Sequence, residues 1–173
     1  MPAFPRLITD RLLLTQLTVD HLPALTRLAN DRSVSDHVVN IPHPYTEINA
    51  SLRLGYVAQG FREGSRYCFA ILLGEEREFV GEVSLHERDR ANRVAELGYW
   101  IGAPYRGRGY ATEAVAAVLE FGFARAGYAT VYATCKPGNA ASEKVLENNG
   151  MHIFKENALQ RAYRLDAPVG EQP

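Results

Sequence analysis

The segment Gly102-Ala103-Pro104-Tyr105-Arg106-Gly107-Arg108-Gly109-Tyr110-Ala111-Thr112-Glu113 constrains this chain more than any other. An apolar strand pattern ends at Ile101, and Ala111, Val115, Val118, Leu119 and Gly122 follow at helical spacing. A loop between a strand and a helix exposes the helix's unpaired N–H groups and the positive end of its dipole. Such an end binds anions without dedicated side chains. Gly107 and Gly109 allow a sharp turn and close approach of a ligand to the backbone, and Arg106 and Arg108 add charge-assisted donors. Phosphate or pyrophosphate is the natural guest. On spacing alone, the competing reading is a helix-capping turn with solvated arginines.

Two nucleotide patterns fit this loop incompletely. From Gly102 to Gly109 a Walker-type loop has Arg108 in place of its lysine and Gly109 in place of its Ser/Thr, so the magnesium ligand is missing. A dinucleotide fingerprint has Thr112 where a third glycine belongs. The next strand ends in Cys135-Lys136, with no acidic residue to hold a ribose.

Around the loop, the pattern predicts a mixed α/β fold. Residues 7–17 read as a first strand, with Asp20 capping a helix over residues 22–30. Ile41-Pro42-His43-Pro44 breaks regular structure. A helix then starts at Thr46, with Asn49 in its first turn and Leu52, Tyr56 and Val57 on one apolar face. Residues 67–73, 79–86 and 94–101 are strands joined by short turns at 74–77 and 88–92, which predicts an antiparallel meander. A helix over residues 109–126, stopped by Gly127, leads to a strand at 130–135, and this unit implies a parallel right-handed crossover. A helix over 139–148 and strands at 151–155 and 159–165 close the chain.

At 173 residues the chain suits one domain, expected over residues 1–166 with a frayed tail at 167–173. A net charge of -1 points neither to nucleic acid nor to an anionic membrane, and no apolar run is long enough to span a bilayer. Cys68 and Cys135 stand alone and five histidines are scattered, so no metal site is expected and a reducing compartment fits. Residues 1–6 lack the apolar core of a signal peptide. A cytoplasmic protein is the expectation.

A third phosphate-binding pattern fits the loop fully. Arg106-Gly107-Arg108-Gly109-Tyr110-Ala111 resembles the R/Q-x-x-G-x-G/A cofactor signature of the GNAT N-acetyltransferase superfamily. Glu96-Leu97-Gly98-Tyr99-Trp100-Ile101, running on to Glu113-Ala114, is similar to the branch of ribosomal-protein alanine N-acetyltransferases. So are Thr9-Asp10-Arg11-Leu12-Leu13-Leu14 and Asn139-Ala140-Ala141-Ser142 followed by Gly150. The matches span nearly the whole chain in the family's order. The resemblance implies a GNAT-like fold: a central, mostly antiparallel sheet, one parallel strand-helix-strand unit and flanking helices.

It also implies an enzyme that moves an acetyl group from acetyl-CoA to a primary amine, with no metal. The backbone of Arg106, Gly107, Arg108, Gly109, Tyr110 and Ala111 would wrap the pyrophosphate, and Thr112 would add a hydroxyl. Tyr99, Trp100 and Ile101 would pair with the pantetheine arm where strands 94–101 and 130–135 part, and Asn139 would hold the arm further along. A backbone N–H near Ile101 would serve the oxyanion. Glu96 is the candidate general base, against the alternative of a strand glutamate paired with an arginine. Many relatives carry a tyrosine acid where this chain has Leu146, and Ser142 is the substitute candidate to protonate the thiolate.

The acceptor is left open between a protein amino terminus and a small amine, with residues 37–45, His43, Glu82 and His86 as acceptor-side candidates. A homodimer fits the resembled branch. The rival function is a non-catalytic acyl-CoA-binding or sensing module, which the leucine at position 146 favours.

Overall fold

The computed structural model describes residues 2–170. Eight strands form one sheet in the order β1-β2-β3-β4-β5-β6-β8-β7. They are β1 (Leu7–Ile8), β2 (Leu12–Gln16), β3 (Arg66–Leu73), β4 (Glu78–Asp89), β5 (Val94–Ile101), β6 (Thr130–Cys135), β7 (His152–Glu156) and β8 (Arg161–Asp166). The helices are α1 (Leu22–Ala29), α2 (Arg32–Ser35), α3 (Glu47–Arg62), α4 (Tyr110–Ala124) and α5 (Ala140–Asn148). All neighbours are antiparallel except β5 and β6, which α4 connects in parallel. The mixed α/β expectation and its single crossover unit hold.

Both faces of the sheet are covered. Along β2, Leu12 and Leu14 enter a core with Phe69, Val83, Val115 and Tyr163, whereas Leu13 enters a second core with Leu25, Val57, Cys68 and Trp100. Strand alternation sends successive side chains to opposite faces. Three consecutive leucines are therefore all buried.

Several local expectations are corrected. Residues 7–17 form a tight hairpin, not one strand: Leu7 pairs with Leu14 and Ile8 with Leu13 around Thr9-Asp10-Arg11. Asp20 does not cap α1. It lies in a 3-10 turn whose first N–H, on Thr18, donates to His21 Nδ1 at 3.1 Å. The helix at Thr46 starts as expected, with its hydroxyl and Asn49 capping each other. However, Leu52 and Tyr56 face outward, at 68% and 52% exposure. The buried line of α3 is Ala50, Val57 and Gly60, so small residues rather than the largest apolar ones meet the sheet.

The strand at Phe79 runs on to Asp89 through a bulge, absorbing part of the expected turn. The expected tail begins anchored, since the Ala167 N–H donates to the Ala129 carbonyl at 2.9 Å. Residues 171–173 lie outside the described residues. No helix among the described residues is long and apolar enough to cross a membrane.

Candidate active site

The one parallel pair in the sheet is short. Val94, Ala95 and Glu96 pair with Thr130, Val131 and Tyr132, and there the pairing stops. Leu97–Ile101 of β5 stay hydrogen-bonded to β4 on one side only. The two strands open into a cleft of about 700 Å³. Its walls carry Glu96, Tyr99, Trp100, Ile101, Arg106, Gly107, Gly109, Tyr110, Ala111, Thr112, Asn139 and Ser142. Of the residues expected to hold a cofactor or do chemistry, Arg108 alone is absent from the lining.

The loop reaches its geometry through left-handed backbone. Gly107 has φ of +73° and Gly109, the residue capping α4, has φ of +82°. That region penalises any side chain. The Arg106 side chain turns back, with Nε donating to the Ile101 carbonyl and Nη1 to Ser33 Oγ, both at 2.8 Å. It ties the loop to the end of β5 and to α2. The expectation that both arginine side chains reach a phosphate is thereby weakened to the backbone N–H groups and the helix dipole.

The Thr9-Asp10-Arg11 hairpin explains a second motif physically. Glu113, in the first turn of α4, accepts from Thr9 Oγ1 at 2.6 Å, from the Arg11 backbone N–H at 2.9 Å and from Arg11 Nε at 2.7 Å. Arg11 Nη1 donates to the Arg108 carbonyl at 2.8 Å, and its guanidinium lies 4.6 Å over the Tyr110 ring. The hairpin thus clamps the loop from behind.

Partial burial pushes the Glu113 carboxyl up, but the Thr9 and Arg11 bonds outweigh it and hold its pKa below the ordinary value. A lowered carboxyl pKa stabilises the fold above the unfolded-state pKa, and the gain is lost as pH falls through the folded value. Glu113→Gln is expected to cost about 1.5–2 kcal/mol at pH 7, moderated because Arg11 is 45% exposed. Urea melts of variant and wild type should converge as pH falls below the ordinary carboxylate range. A pH-independent difference would contradict the ionic clamp.

At the other end, Asn139 caps α5, accepting from the Ser142 N–H at 3.3 Å. Ser142 Oγ lies 2.8 Å from the Tyr99 hydroxyl, which also reaches the Ser142 carbonyl at 3.2 Å. Burial pushes the Tyr99 phenol up to about 12, against the lowering effect of the Ser142 bond, so it stays protonated near neutral pH. Leu146 is buried in the α4-side core.

Away from that loop the cleft is lined by Ser33 and Val34 of α2 and by Arg53 and Tyr56 of α3. Glu96 accepts from Arg88 Nε at 2.7 Å, so the arginine-paired alternative for this residue is realised while its carboxylate still lines the cleft. Glu82 is 1% exposed and held by both Arg53 Nε contacts, at 2.7 and 3.0 Å, and by Trp100 Nε1 at 2.9 Å. His86 Nδ1 lies 2.8 Å from Arg66 Nη2. Burial, then the Arg66 and Arg88 charges, hold His86 below its ordinary pKa. His37, Val38, Val39 and Asn40 line the cleft, but His43 does not.

Sequence patterns gave no sign of Arg53 and Arg66. A cation on the inner side of α3 contradicts its hydropathy pattern, and Arg66 joins the site only through strand register.

A family profile described as Acetyltransferase (GNAT) domain matches residues 11–152. The Uncharacterized N-acetyltransferase p20 of Bacillus licheniformis is 28% identical over 155 residues, covering 89% of this chain and 85% of that protein. RimL, a ribosomal L7/L12 alpha-N-protein acetyltransferase solved in complex with coenzyme A, superposes with a TM-score of 0.82 at 19% identity, covering 96% of this chain and 98% of that one. The microcin C7 self immunity acetyltransferase MccE, solved with acetyl-CoA and AMP, gives 0.78 at 18% identity, covering 91% and 93%.

Proposed function

The chain belongs to the acetyltransferase (GNAT) family, and from that premise we propose that it carries the acetyl group of acetyl-CoA to a primary amine by direct attack, in the cytoplasm. The observation that carries this reading is the parting of β5 from β6 after three paired residues, directly in front of the α4 amino-terminal loop. An extended arm with amide groups can pair with the open edge of β5 while its pyrophosphate meets the helix end. The coenzyme A and acetyl-CoA complexes of the neighbouring structures support the same cofactor here.

In the proposed reaction, the amine nitrogen attacks the thioester carbonyl carbon. A C–N bond forms and the carbonyl electrons move onto oxygen, where a backbone N–H on the open stretch of β5 donates. Glu96, held by Arg88, receives the amine proton through a water. Collapse breaks the C–S bond, and the thiolate takes a proton from Ser142 Oγ, which recovers one from water while Glu96 releases its own to solvent. The Tyr99 hydroxyl positions that serine from 2.8 Å.

The acceptor class is a protein amino terminus or a small amine. Release of free thiol from acetyl-CoA, followed against a panel of such amines, tests the reading. Ser142→Ala is expected to lower kcat about 100-fold, with acetyl-CoA affinity kept within about twofold because the phosphate grip lies elsewhere. Cofactor binding without thiol release toward any amine would favour the binding-module alternative, to which the leucine at position 146 lends support.

A further inference from the structure

The acceptor end of the cleft has an unbalanced charge. Arg53 is neutralised by Glu82, and Arg88 by Glu96. Among the described residues, no carboxylate pairs with Arg66. Its guanidinium lies 4.7 Å over the Tyr56 ring and donates through Nη2 to the Tyr56 hydroxyl and His86 Nδ1, both at 2.8 Å. These contacts fix the guanidinium plane and leave donors unused on a group that has five. The stem is fixed too. Gly60 lets α3 rest on it so closely that an added Cβ would come within 2.8 Å of the Arg66 Cβ.

This cation stands in line with the candidate base. Arg66 pairs with His86 across β3 and β4, and His86 pairs with Glu96 across β4 and β5. The three residues share one rung of the sheet, on the face that α3 covers. With strands about 4.8 Å apart, the Arg66 and Glu96 backbones are separated by about 10 Å. An acceptor whose amine lies near Glu96 can therefore extend an anionic group to Arg66 across one or two residues of chain, at about 3.5 Å each. A polyamine or other polycation would meet a fixed like charge instead.

We propose that Arg66 is a carboxylate subsite, and that the acceptor is an amine with an acidic group close behind it: the amino terminus of an acidic peptide or a free acidic amino acid. This rests on the acetyl-transfer reading, and it selects among the amines that reading leaves open. Arg66 touches the acceptor away from the reacting atoms, so its effect falls on acceptor binding.

The test uses the full-length protein saturated with coenzyme A, titrated calorimetrically with amidated Ala-Asp-Gly, amidated Ala-Asn-Gly, free glutamate and spermidine. Thiol release from acetyl-CoA is measured in parallel with the same four amines. Wild type is expected to bind the Asp peptide, glutamate or both at least about tenfold more tightly than the Asn peptide. Arg66→Gln should remove that preference and Arg66→Lys should restore part of it, with coenzyme A affinity retained as evidence of an intact fold.

Preference in the peptide arm alone assigns a peptide terminus, and preference in the glutamate arm alone assigns the free amino acid. Equal binding of all four, tightest binding of spermidine, or a preference that survives Arg66→Gln would overturn the subsite. Carboxylate-selective binding without thiol release from any acceptor would sink acetyl transfer and leave the subsite standing.

Discussion

Glu82→Ala is expected to destabilise the fold by about 3–5 kcal/mol, measured by chemical denaturation at pH 7. The side chain of Glu82 is 2% exposed and that of its partner Arg53 is 15% exposed. Removing the carboxylate leaves a guanidinium in an apolar setting with no counter-charge, and it orphans the Trp100 indole N–H that donates to Glu82 at 2.9 Å. Burial lowers the Arg53 pKa and the Glu82 charge raises it, with the net direction upward. The Cys68 thiol, 3.8 Å from the same carboxylate, is pushed up to about 12, first by burial and then by that charge. Replacing both partners by methionine should recover most of the loss, because the penalty comes from an unpaired charge and not from a missing attraction. A cost below about 1 kcal/mol for the single change would mean that Arg53 swings out to water.

Gly109→Asp is expected to weaken coenzyme A binding about 100-fold, or about 2.7 kcal/mol, by titration calorimetry. The residue caps α4 at a φ of +82°, and an added Cβ would lie 3.3 Å from Arg11 Nη2. Any side chain there meets backbone strain, and aspartate also places a negative charge where the helix dipole would otherwise receive a phosphate. Gly109→Asn separates the two effects, with nearly the same shape and no charge. Its loss should stay under about tenfold. Equal losses for Asp and Asn would mean that the phosphates do not sit at this helix end.

What the sequence revealed divides by how local each signal is. The loop at Arg106 and the bounds of β5 and β6 were legible, because glycines and β-rich runs act within a few residues. The Thr9-Asp10-Arg11 motif was visible only as a likeness. Its purpose needs Glu113, more than 100 positions away, where Thr9 and Arg11 converge on one carboxylate. The rung of Arg66, His86 and Glu96 was illegible, since alternation gives the face of a strand but not its register against a neighbour. The inner side of α3 was misread for another reason. Hydropathy favours Leu52 and Tyr56, whereas close approach to β3 demands Ala50 and Gly60, and the Tyr56 ring is used to seat Arg66.

The three paired residues between β5 and β6 also have a mechanical meaning. They join a panel of five strands to a panel of three, and α4 spans the same joint from behind. An arm laid along the free edge of β5 would act as a splint across that fold line, stiffening the molecule at a joint that the main chain itself cross-links at only three residue pairs. Cofactor occupancy and the rigidity of the joint are then one variable. Amide exchange at Leu97–Ile101 would report how loaded the protein is, well before any global opening.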